Sequence, residues 1–157
     1  MYRLFEQFIA SFLQTYSRLI LPEEWRDLPI ELQGSISKRH LVLPMPLPEK
    51  PMFPLKPDII LGLPGQPNMI IDTKNKALPL KQSYRAVAED DAYQMLAYAT
   101  QFHCRSILLL YPHTLGAEVS PPKMLMVEKT SIRIFVATLN LHQPLNQIFP
   151  LIQEFRN

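Results

Sequence analysis

The chain has 157 residues, of which 47% are hydrophobic and 19% are charged, and its formal net charge is +2. This composition predicts one globular domain with a substantial core, while the small net charge neither indicates nor excludes a nucleic-acid partner. The single cysteine, Cys104, excludes a disulfide framework and a zinc site of paired cysteines, and it favours a reducing, cytoplasmic setting.

Other features of the sequence narrow the class of protein further. No apolar run reaches transmembrane length, so we expect no membrane partner, and the N-terminus lacks the pattern of a signal peptide. The chain has only four glycines and no glycine-rich phosphate loop, so we do not expect it to bind GTP by itself. The four histidines are scattered without ligand spacing, which favours surface histidines over catalytic ones.

The first predicted element is an amphipathic helix over residues 2–20, which Pro22 terminates. Glu6 lies beside the apolar stripe, and taken alone it is interpreted as a carboxylate at the edge of the core. The apolar residues that recur at helical spacing are Leu4, Phe5, Phe8, Ile9, Phe12, Leu13 and Tyr16.

The next segment combines a predicted strand with a proline-rich stretch. Residues 34–43 are predicted to form a strand. Residues 44–67 hold eight of the sixteen prolines, which predicts extended, irregular backbone before Asp58. We interpret this stretch as a connection between strands, with a partner-docking ligand as the alternative.

A β-hairpin is predicted next. Residues 56–62 and 69–74 are short apolar β runs, and residues 63–68 between them are rich in proline and glycine. The return strand carries Asp72 beside three apolar residues, although aspartate is depleted in strands. Such departures from local preference concentrate at functional sites.

The hairpin predicts a cluster of charged side chains. Alternate residues of a strand share a face, so Asp72 and Lys74 point the same way while Ile71 and Thr73 point the other way. Pairing of the two strands brings Asp58 alongside Asp72. Two carboxylates suit a hard divalent cation such as Mg²⁺, and a nearby ammonium suits a phosphate or an attacking water. The sequence therefore predicts metal-assisted phosphodiester hydrolysis.

A second helix is predicted over residues 85–103. Gln94 and Tyr98 are four residues apart and share one face, with Asp91 one turn earlier. Alone, this pair indicates a polar helix face; beside Asp58 and Asp72 it favours a role for Gln94 in orienting a water or a phosphate.

A basic segment precedes this helix. Residues 73–88 contain no acidic side chain, and their basic residues either hold DNA phosphates or form an ordinary solvated loop. Those basic residues are Lys74, Lys76, Lys81 and Arg85.

The remaining predicted elements complete a mixed α/β fold. Residues 106–111 form a continuous apolar run that is typical of a buried strand. Residues 125–127 and 132–136 are predicted to form a hairpin, and residues 145–155 a closing helix. The order of elements predicts a central mixed β-sheet flanked by helices.

Several of these segments together resemble the PD-(D/E)xK nuclease superfamily and, within it, the McrC component of the McrBC modified-cytosine restriction systems. The resemblance runs from the first residues to about residue 112, and it includes the opening helix with Glu6. The matching segments are Leu55-Lys56-Pro57-Asp58-Ile59-Ile60, Ile71-Asp72-Thr73-Lys74, Asp91-Ala92-Tyr93-Gln94-Met95-Leu96-Ala97-Tyr98-Ala99 and Leu110-Tyr111-Pro112.

The resemblance implies a restriction-endonuclease-like fold and a Mg²⁺-dependent endodeoxyribonuclease, with Mn²⁺ as an alternative metal. It implies that Asp58, Asp72, the carbonyl of Thr73 and Glu6 bind the metal. Lys74 would position the water or stabilise the transition state, and Gln94 and Tyr98 would support it. The implied partners are DNA and a McrB-like AAA+ GTPase, in a defence system that restricts DNA containing 5-methylcytosine.

The resemblance also defines expectations about organisation. Residues 1–157 correspond to a single nuclease-like domain, without the N-terminal half that McrC proteins use to engage the McrB motor. Asn75 departs from the pattern, since an aromatic residue often follows the lysine. Three alternatives stay open: a non-catalytic module that assembles with the motor, a different PD-(D/E)xK repair nuclease or junction resolvase, and an inactive remnant.

Overall fold

The computed structural model of the protein describes residues 2–43, 45, 50–76, 78, 87–113 and 122–154. The α-helices and strands of these residues, in chain order, are α1 (Tyr2–Ile20), β1 (Ile30–Leu32), β2 (Arg39–Val42), β3 (Met52–Leu55), β4 (Ile59–Leu63), β5 (Gln66–Thr73), α2 (Glu89–Phe102), β6 (Ser106–Pro112), β7 (Lys123–Met126), β8 (Arg133–Leu139) and α3 (Pro144–Glu154).

Within the described residues, six strands form one mixed sheet in the order β1-β4-β5-β6-β8-β7, and β2 and β3 form a separate antiparallel pair. β5, β6 and β8 are mutually parallel at the centre of the sheet, whereas β4 and β7 pair antiparallel to their neighbours. This arrangement confirms the predicted mixed sheet flanked by helices.

Helices cover both faces of the sheet because its central strands are apolar on both sides. Ile71 of β5 and Leu108 of β6 belong to the core that includes α1 and α3. Ile70 and Ile107, their neighbours along the same strands, belong to the core that includes α2. Burial of each such side chain contributes about 1.5–3 kcal/mol of stabilisation, so the two cores fix the helices to the sheet.

The helix α1 has the bounds that the apolar periodicity predicts. Phe5, Ile9, Phe12 and Leu13 of its apolar stripe are buried in the core, whereas Leu4 and Tyr16 of the same stripe are exposed. The bond from Leu21 N–H to the Ser17 carbonyl (2.9 Å) closes the last turn before Pro22. The predicted strand over residues 106–111 and the predicted late hairpin are also confirmed, with each strand a little longer. The closing helix is confirmed as α3, and residue 155 lies outside the described part.

The helix α2 begins later than predicted. Ala88 is its N-cap residue and has an extended backbone, and no side-chain hydrogen bond caps the helix there. Residues 85 and 86 lie outside the described part of the chain. Three acidic side chains in the first turn, Glu89, Asp90 and Asp91, complement the positive end of the helix dipole.

The predicted strand over residues 34–43 was wrong in its first half. Gln33 and Gly34 adopt positive φ angles of 53° and 57°, which ends β1 in a sharp turn. The buried carboxylate of Glu31 then accepts hydrogen bonds from the N–H groups of Ile36 and Ser37, each at 2.7 Å. These bonds hold residues 33–38 as a compact loop, and only residues 39–42 form a strand.

The proline-rich stretch contains an unpredicted strand. β3 pairs antiparallel with β2, with His40 opposite Pro54. Proline is tolerated here because this ribbon has two strands, and each of its strands is therefore an edge. Residues 44 and 46–49 of the stretch lie outside the described residues.

The β4–β5 hairpin is confirmed, but its turn is shorter than predicted, since β5 begins at Gln66. The register shifts by one residue after Leu61. At the shift Gly62 has a φ of +127°, and a Cβ there would lie 2.6 Å from Asn68 N and 2.9 Å from Pro67 Cα. The bulge therefore requires glycine, and it sets the register that carries Asp58 and Asp72.

We expect Gly62→Ala to lower the free energy of unfolding by about 2–3 kcal/mol, because the new methyl group meets backbone atoms and the φ angle is unfavourable. Gly65→Ala is the matched control. Its φ of +83° is also unfavourable, but no atom lies within 4 Å of the added carbon. The free energy of unfolding of Gly65→Ala should fall by about 1 kcal/mol. Urea unfolding of both variants measures the difference, and equal losses would contradict the steric argument.

Candidate active site

The candidate site lies at one end of the sheet, where β5 ends and α2 begins. A helix that connects two parallel strands runs antiparallel to both, so the first turn of α2 lies beside the carboxyl end of β5. The hydrogen bond from Lys74 N–H to the Leu110 carbonyl (2.8 Å) continues the parallel pairing just beyond Thr73. The backbone of the Asp72–Lys74 segment is therefore held by the sheet.

The hairpin brings the carboxylate of Asp58 to the end of β5. Ile59 pairs with Ile71, so Asp58 precedes β4 at the level of Asp72. The N–H and the hydroxyl of Thr73 both donate to Asp58 Oδ2, at 2.7 Å and 2.6 Å. Thr73 thus fixes the orientation of Asp58 through two bonds to one oxygen.

Asp72 and Lys74 share a face of the strand, as the alternation predicts. The Nζ atom of Lys74 lies 2.6 Å from Asp72 Oδ2 and 3.4 Å from Asp91 Oδ1, and it donates to Gln94 Oε1 at 2.7 Å. The side chain of Lys74 is 14% exposed and that of Asp72 is 5% exposed. The ammonium is therefore held by three oxygens in a nearly closed environment.

Gln94 and Tyr98 lie on one face of α2, and both reach the site. Gln94 Nε2 donates to the hydroxyl of Tyr98 at 2.9 Å, while Gln94 Oε1 accepts from Lys74. The predicted pair thus forms a continuous chain of hydrogen bonds from Asp72 through Lys74 to Tyr98. In this chain Gln94 contacts the lysine, whereas the sequence indicated a contact with a water or a phosphate.

Asp91 is a member of the site that the sequence analysis did not select. Its Oδ2 accepts a hydrogen bond from the buried Tyr111 hydroxyl at 3.1 Å and lies 2.7 Å from Lys76 Nζ. The available signal was its position three residues before Gln94, which places both side chains on one helix face. Lys76 is half-exposed at the rim of the site, and Lys81 and Arg85 lie outside the described residues.

The electrostatic environment of the two aspartates disfavours their charged forms. Burial, and then the charge of Asp58, raise the pKa of Asp72 to about 6, although Lys74 acts in the opposite direction. Burial also raises the pKa of Asp58, and the charge of Glu6 adds to this against the two bonds from Thr73. An ionised Asp58–Asp72 pair is therefore strained in the absence of a cation.

The other ionisable groups of the site keep their ordinary charge states at neutral pH. Burial lowers the pKa of Lys74, but the charge of Asp72 and their hydrogen bond outweigh it, so the pKa is raised and the ammonium is retained. Burial raises the pKa of Asp91, yet the bond from Lys76 and the charge of Lys74 bring it below its usual value. Burial, followed by nearby carboxylates, raises the pKa of Tyr98 and Tyr111, so both hydroxyls stay neutral.

Glu6 reaches the neighbourhood of the site from α1. Its Oε1 accepts a hydrogen bond from Gln33 Nε2 at 2.8 Å, and its charge contributes to the raised pKa of Asp58. Within the described part of the chain, however, no group of three or more acidic, histidine or cysteine side chains is close enough to hold a metal ion. Glu6 is therefore near Asp58 without joining Asp58 and Asp72 in one cluster.

The donor set fits a hard divalent cation. Asp58 and Asp72 offer carboxylate oxygens, which are the ligands that Mg²⁺ prefers. Burial, and then neighbouring negative charge, disfavour the charged forms of both aspartates, and a bound cation would favour those forms. The site thus favours cation binding by its chemistry.

Fold and site together define an α/β protein that carries a lysine–carboxylate site at one end of a mixed sheet. The model of the family described as "McrBC 5-methylcytosine restriction system component" matches residues 1–112, and the chain belongs to this family. The resemblance inferred from the sequence is thereby confirmed at the level of the family.

The fold is similar to that of a chain in the refined half-complex from a tetradecameric assembly of Thermococcus gammatolerans McrB AAA+ hexamers with bound McrC. The TM-score is 0.60 at 18% sequence identity, and the match covers 99% of this chain and 32% of the other. The protein thus spans about a third of the length of the chain that it matches. No curated protein matches the sequence. In the described residues no helix has the length and apolarity needed to cross a membrane.

The raised pKa of Asp72 leads to a prediction about stability. The folded pKa of about 6 exceeds the ordinary value of 3.8. The stability contributed by this carboxyl is therefore complete below pH 3.8 and is lost as the pH rises through about 6. Asp72→Asn cannot ionise, so at pH 8 in EDTA it should be more stable than the wild type by about 1–3 kcal/mol. The difference should shrink as the pH falls to about 4.5.

Urea unfolding of both proteins across this pH range measures the effect. Asp27→Asn is the control, because Asp27 has a side chain that is 88% exposed and pairs with Arg18 only at the surface. That variant should follow the wild-type curve closely. A difference between Asp72→Asn and the wild type that does not change with pH would contradict the argument.

Proposed function

We propose that the protein is a metal-dependent DNA endonuclease subunit of the PD-(D/E)xK class. It would be the cleavage component of a McrBC-like system that restricts DNA containing 5-methylcytosine, with residues 1–157 as one nuclease-like domain. The observation that carries this proposal is the contact of 2.6 Å between Lys74 and Asp72, in a site where Asp58 opposes the ionisation of Asp72.

The residues that would hold the metal are Asp58 and Asp72, with the carbonyl of Thr73 as a third ligand and Glu6 acting through water. Mg²⁺ is the proposed ion, with Mn²⁺ as an alternative, because the ligands are hard oxygens. Such an ion supplies a bound water of lowered pKa and positive charge that stabilises the phosphate. The two bonds from Thr73 hold Asp58 in a fixed orientation, so this carboxylate is preorganised to bind the ion.

Lys74 provides fixed positive charge in this proposal. Its raised pKa keeps it protonated at neutral pH, so it acts electrostatically and does not serve as a general base. The side chain of Lys74 is only 14% exposed, so its ammonium acts at a lower effective dielectric constant than one in bulk water and would stabilise developing charge on a phosphate more strongly. Lys74 also holds Asp72 in place through their ion pair.

Gln94, Tyr98 and Asp91 support this lysine. Gln94 Oε1 accepts a hydrogen bond from the ammonium, and the Tyr98 hydroxyl accepts a hydrogen bond from the amide of Gln94. Asp91 Oδ1 lies 3.4 Å from the ammonium. Three contacts of this kind leave the ammonium little freedom of rotation. The position of Lys74 relative to a bound phosphate is therefore set before the substrate arrives.

The proposed partners are DNA and a McrB-like AAA+ GTPase. Family membership supports both, and the half-exposed ammonium of Lys76 offers positive charge to DNA at the rim of the site. The chain has only four glycines, and no segment of its sequence is a glycine-rich phosphate loop, so nucleotide hydrolysis is assigned to the partner. Recognition of the modified base is assigned to the partner as well, and the proposed setting is the cytoplasm.

The direct test is cleavage of plasmid DNA by the purified chain with Mg²⁺ or Mn²⁺. Asp72→Asn and Lys74→Met should each reduce the cleavage rate by about 10²–10³-fold, because each removes a charge from the reacting centre. Lys129→Met is the matched control, since Lys129 lies in the turn after β7 with a side chain that is 88% exposed. It should cleave as the wild type does.

Calorimetric binding of Mg²⁺ separates the remaining outcomes. Binding that is lost in Asp72→Asn, without cleavage by the wild type, indicates a competent subunit that needs its motor partner. Absence of both cleavage and metal binding in the wild type would refute the catalytic proposal and favour a non-catalytic module. Preference for branched DNA over plasmid DNA would instead favour a repair nuclease or junction resolvase.

A further inference from the structure

Gln33, which lies outside the predicted site, forms hydrogen bonds to both Asp58 and Glu6. The backbone N–H of Gln33 donates to the carbonyl of Asp58 at 2.9 Å, and its side-chain Nε2 donates to Glu6 Oε1 at 2.8 Å. Glu6 belongs to α1 and Asp58 precedes β4, and these elements are far apart in sequence. The backbone bond continues the antiparallel pairing of β1 with β4 beyond Leu32 and Ile59, so the sheet places Gln33 beside Asp58, and the side chain of Gln33 links this position to Glu6.

The backbone of Gln33 is unusual for its residue type. Its φ of 53° lies in the left-handed region, which glycine and asparagine adopt more readily than glutamine. Strained backbone of this kind persists where the surrounding structure demands it, and it concentrates at functional sites. Gly34 also has a positive φ, and the bond from Ser35 N–H to the Leu32 carbonyl (3.1 Å) closes the turn around these two residues.

The hydrogen bonds that shape the loop do not involve the side chain of Gln33. Glu31 accepts bonds from the N–H groups of Ile36 and Ser37 and from the Ser37 hydroxyl, the last at 2.8 Å. A Cβ on Gly34 would lie 3.4 Å from the carbonyl oxygen of Leu55, so the loop also packs closely on the chain before Asp58. Contacts of other residues therefore set the backbone position from which the amide of Gln33 reaches Glu6.

The carboxylate of Glu6 faces open space as well as Gln33. A groove of about 350 Å³ lies between α1 and this loop, and Glu6, Gln33 and Lys56 are among the residues that line it. A carboxylate that accepts one bond and borders a groove can still bind a further ligand. A carboxylate on α1 that had no such bond would be free to rotate into solvent.

We infer that Gln33 is a positioning residue that holds Glu6 on the side of Asp58, from where Glu6 would reach a cation bound by Asp58 and Asp72 through a water. The inference rests on the proposed function, because it assigns Gln33 to the same metal site. Gln33 itself touches neither the metal nor the phosphate. Gln33 would affect the binding of the metal and of the phosphate only by orienting the carboxylate of Glu6.

The test compares Gln33→Gly and Gln33→Met by calorimetric titration with Mg²⁺ and by thermal unfolding in EDTA. Glycine suits the φ angle and removes the side chain, while methionine keeps the length and the strain but cannot donate. Both variants should raise the Mg²⁺ dissociation constant by about three- to tenfold, which is modest because the bond to Glu6 is exposed. In EDTA, only Gln33→Gly should retain or exceed the melting temperature of the wild type.

A double-mutant cycle with Glu6→Gln shows whether Gln33 acts through Glu6. The effect of Gln33→Gly on Mg²⁺ binding should disappear in the Glu6→Gln background. Gln7→Ala is the control, since Gln7 lines the same groove on α1 beside Glu6, and it should bind Mg²⁺ as the wild type does.

Two outcomes would overturn the inference and are distinguishable from each other. If Mg²⁺ binding is lost in Asp72→Asn but unchanged in Gln33→Gly, or if the effect persists without Glu6, the role of Gln33 is refuted alone. If the wild type binds neither Mg²⁺ nor Mn²⁺, the proposed function is refuted and the role of Gln33 falls with it.

Discussion

The rest of the site depends on the burial of like charges at the end of β5. Asp72 is almost fully enclosed, Asp58 lies beside it, and Lys74 supplies the one cation in direct contact with Asp72 among the described residues. Burial destabilises the ionised form of each carboxylate that lacks a compensating charge, and the raised pKa of about 6 for Asp72 reflects this effect. The neighbouring contacts follow from this constraint, since they either hold the lysine against Asp72 or fix the orientation of Asp58.

The topology supplies the groups that satisfy this constraint. Asp58 directly precedes β4, which is the antiparallel neighbour of β5. Asp91 and Gln94 lie on α2, the helix that connects the parallel strands β5 and β6. The glycine bulge in β4 keeps the register that aligns the two aspartates. The core of the sheet remains apolar on both faces, so the polar network is confined to the strand ends, where side chains can reach solvent and substrate.

Local pattern predicted the elements whose shape is set by their own residues. The helix α1 and the strand β6 were predicted closely because an apolar stripe and a continuous apolar run specify them without help from distant segments. The Asp72–Lys74 contact was predictable because strand alternation fixes it. The loop at Gln33 and the partnership of Asp91 with Lys76 were missed, since each depends on residues brought together by tertiary structure. The strand β3, and with it the pairing of β2 and β3, was missed because proline content argues against strands.

The start of α2 has a further consequence. The helix has no side-chain cap at Ala88, so its first turn is held through Asp91, whose oxygens contact Lys74, Lys76 and Tyr111. The first helical turn and the charged site therefore share the contacts of Asp91, so loss of these contacts would weaken both. Amide hydrogen exchange in that turn would then report the occupancy of the site, because whatever binds beside Lys74 alters the balance of charge that holds the helix end in place.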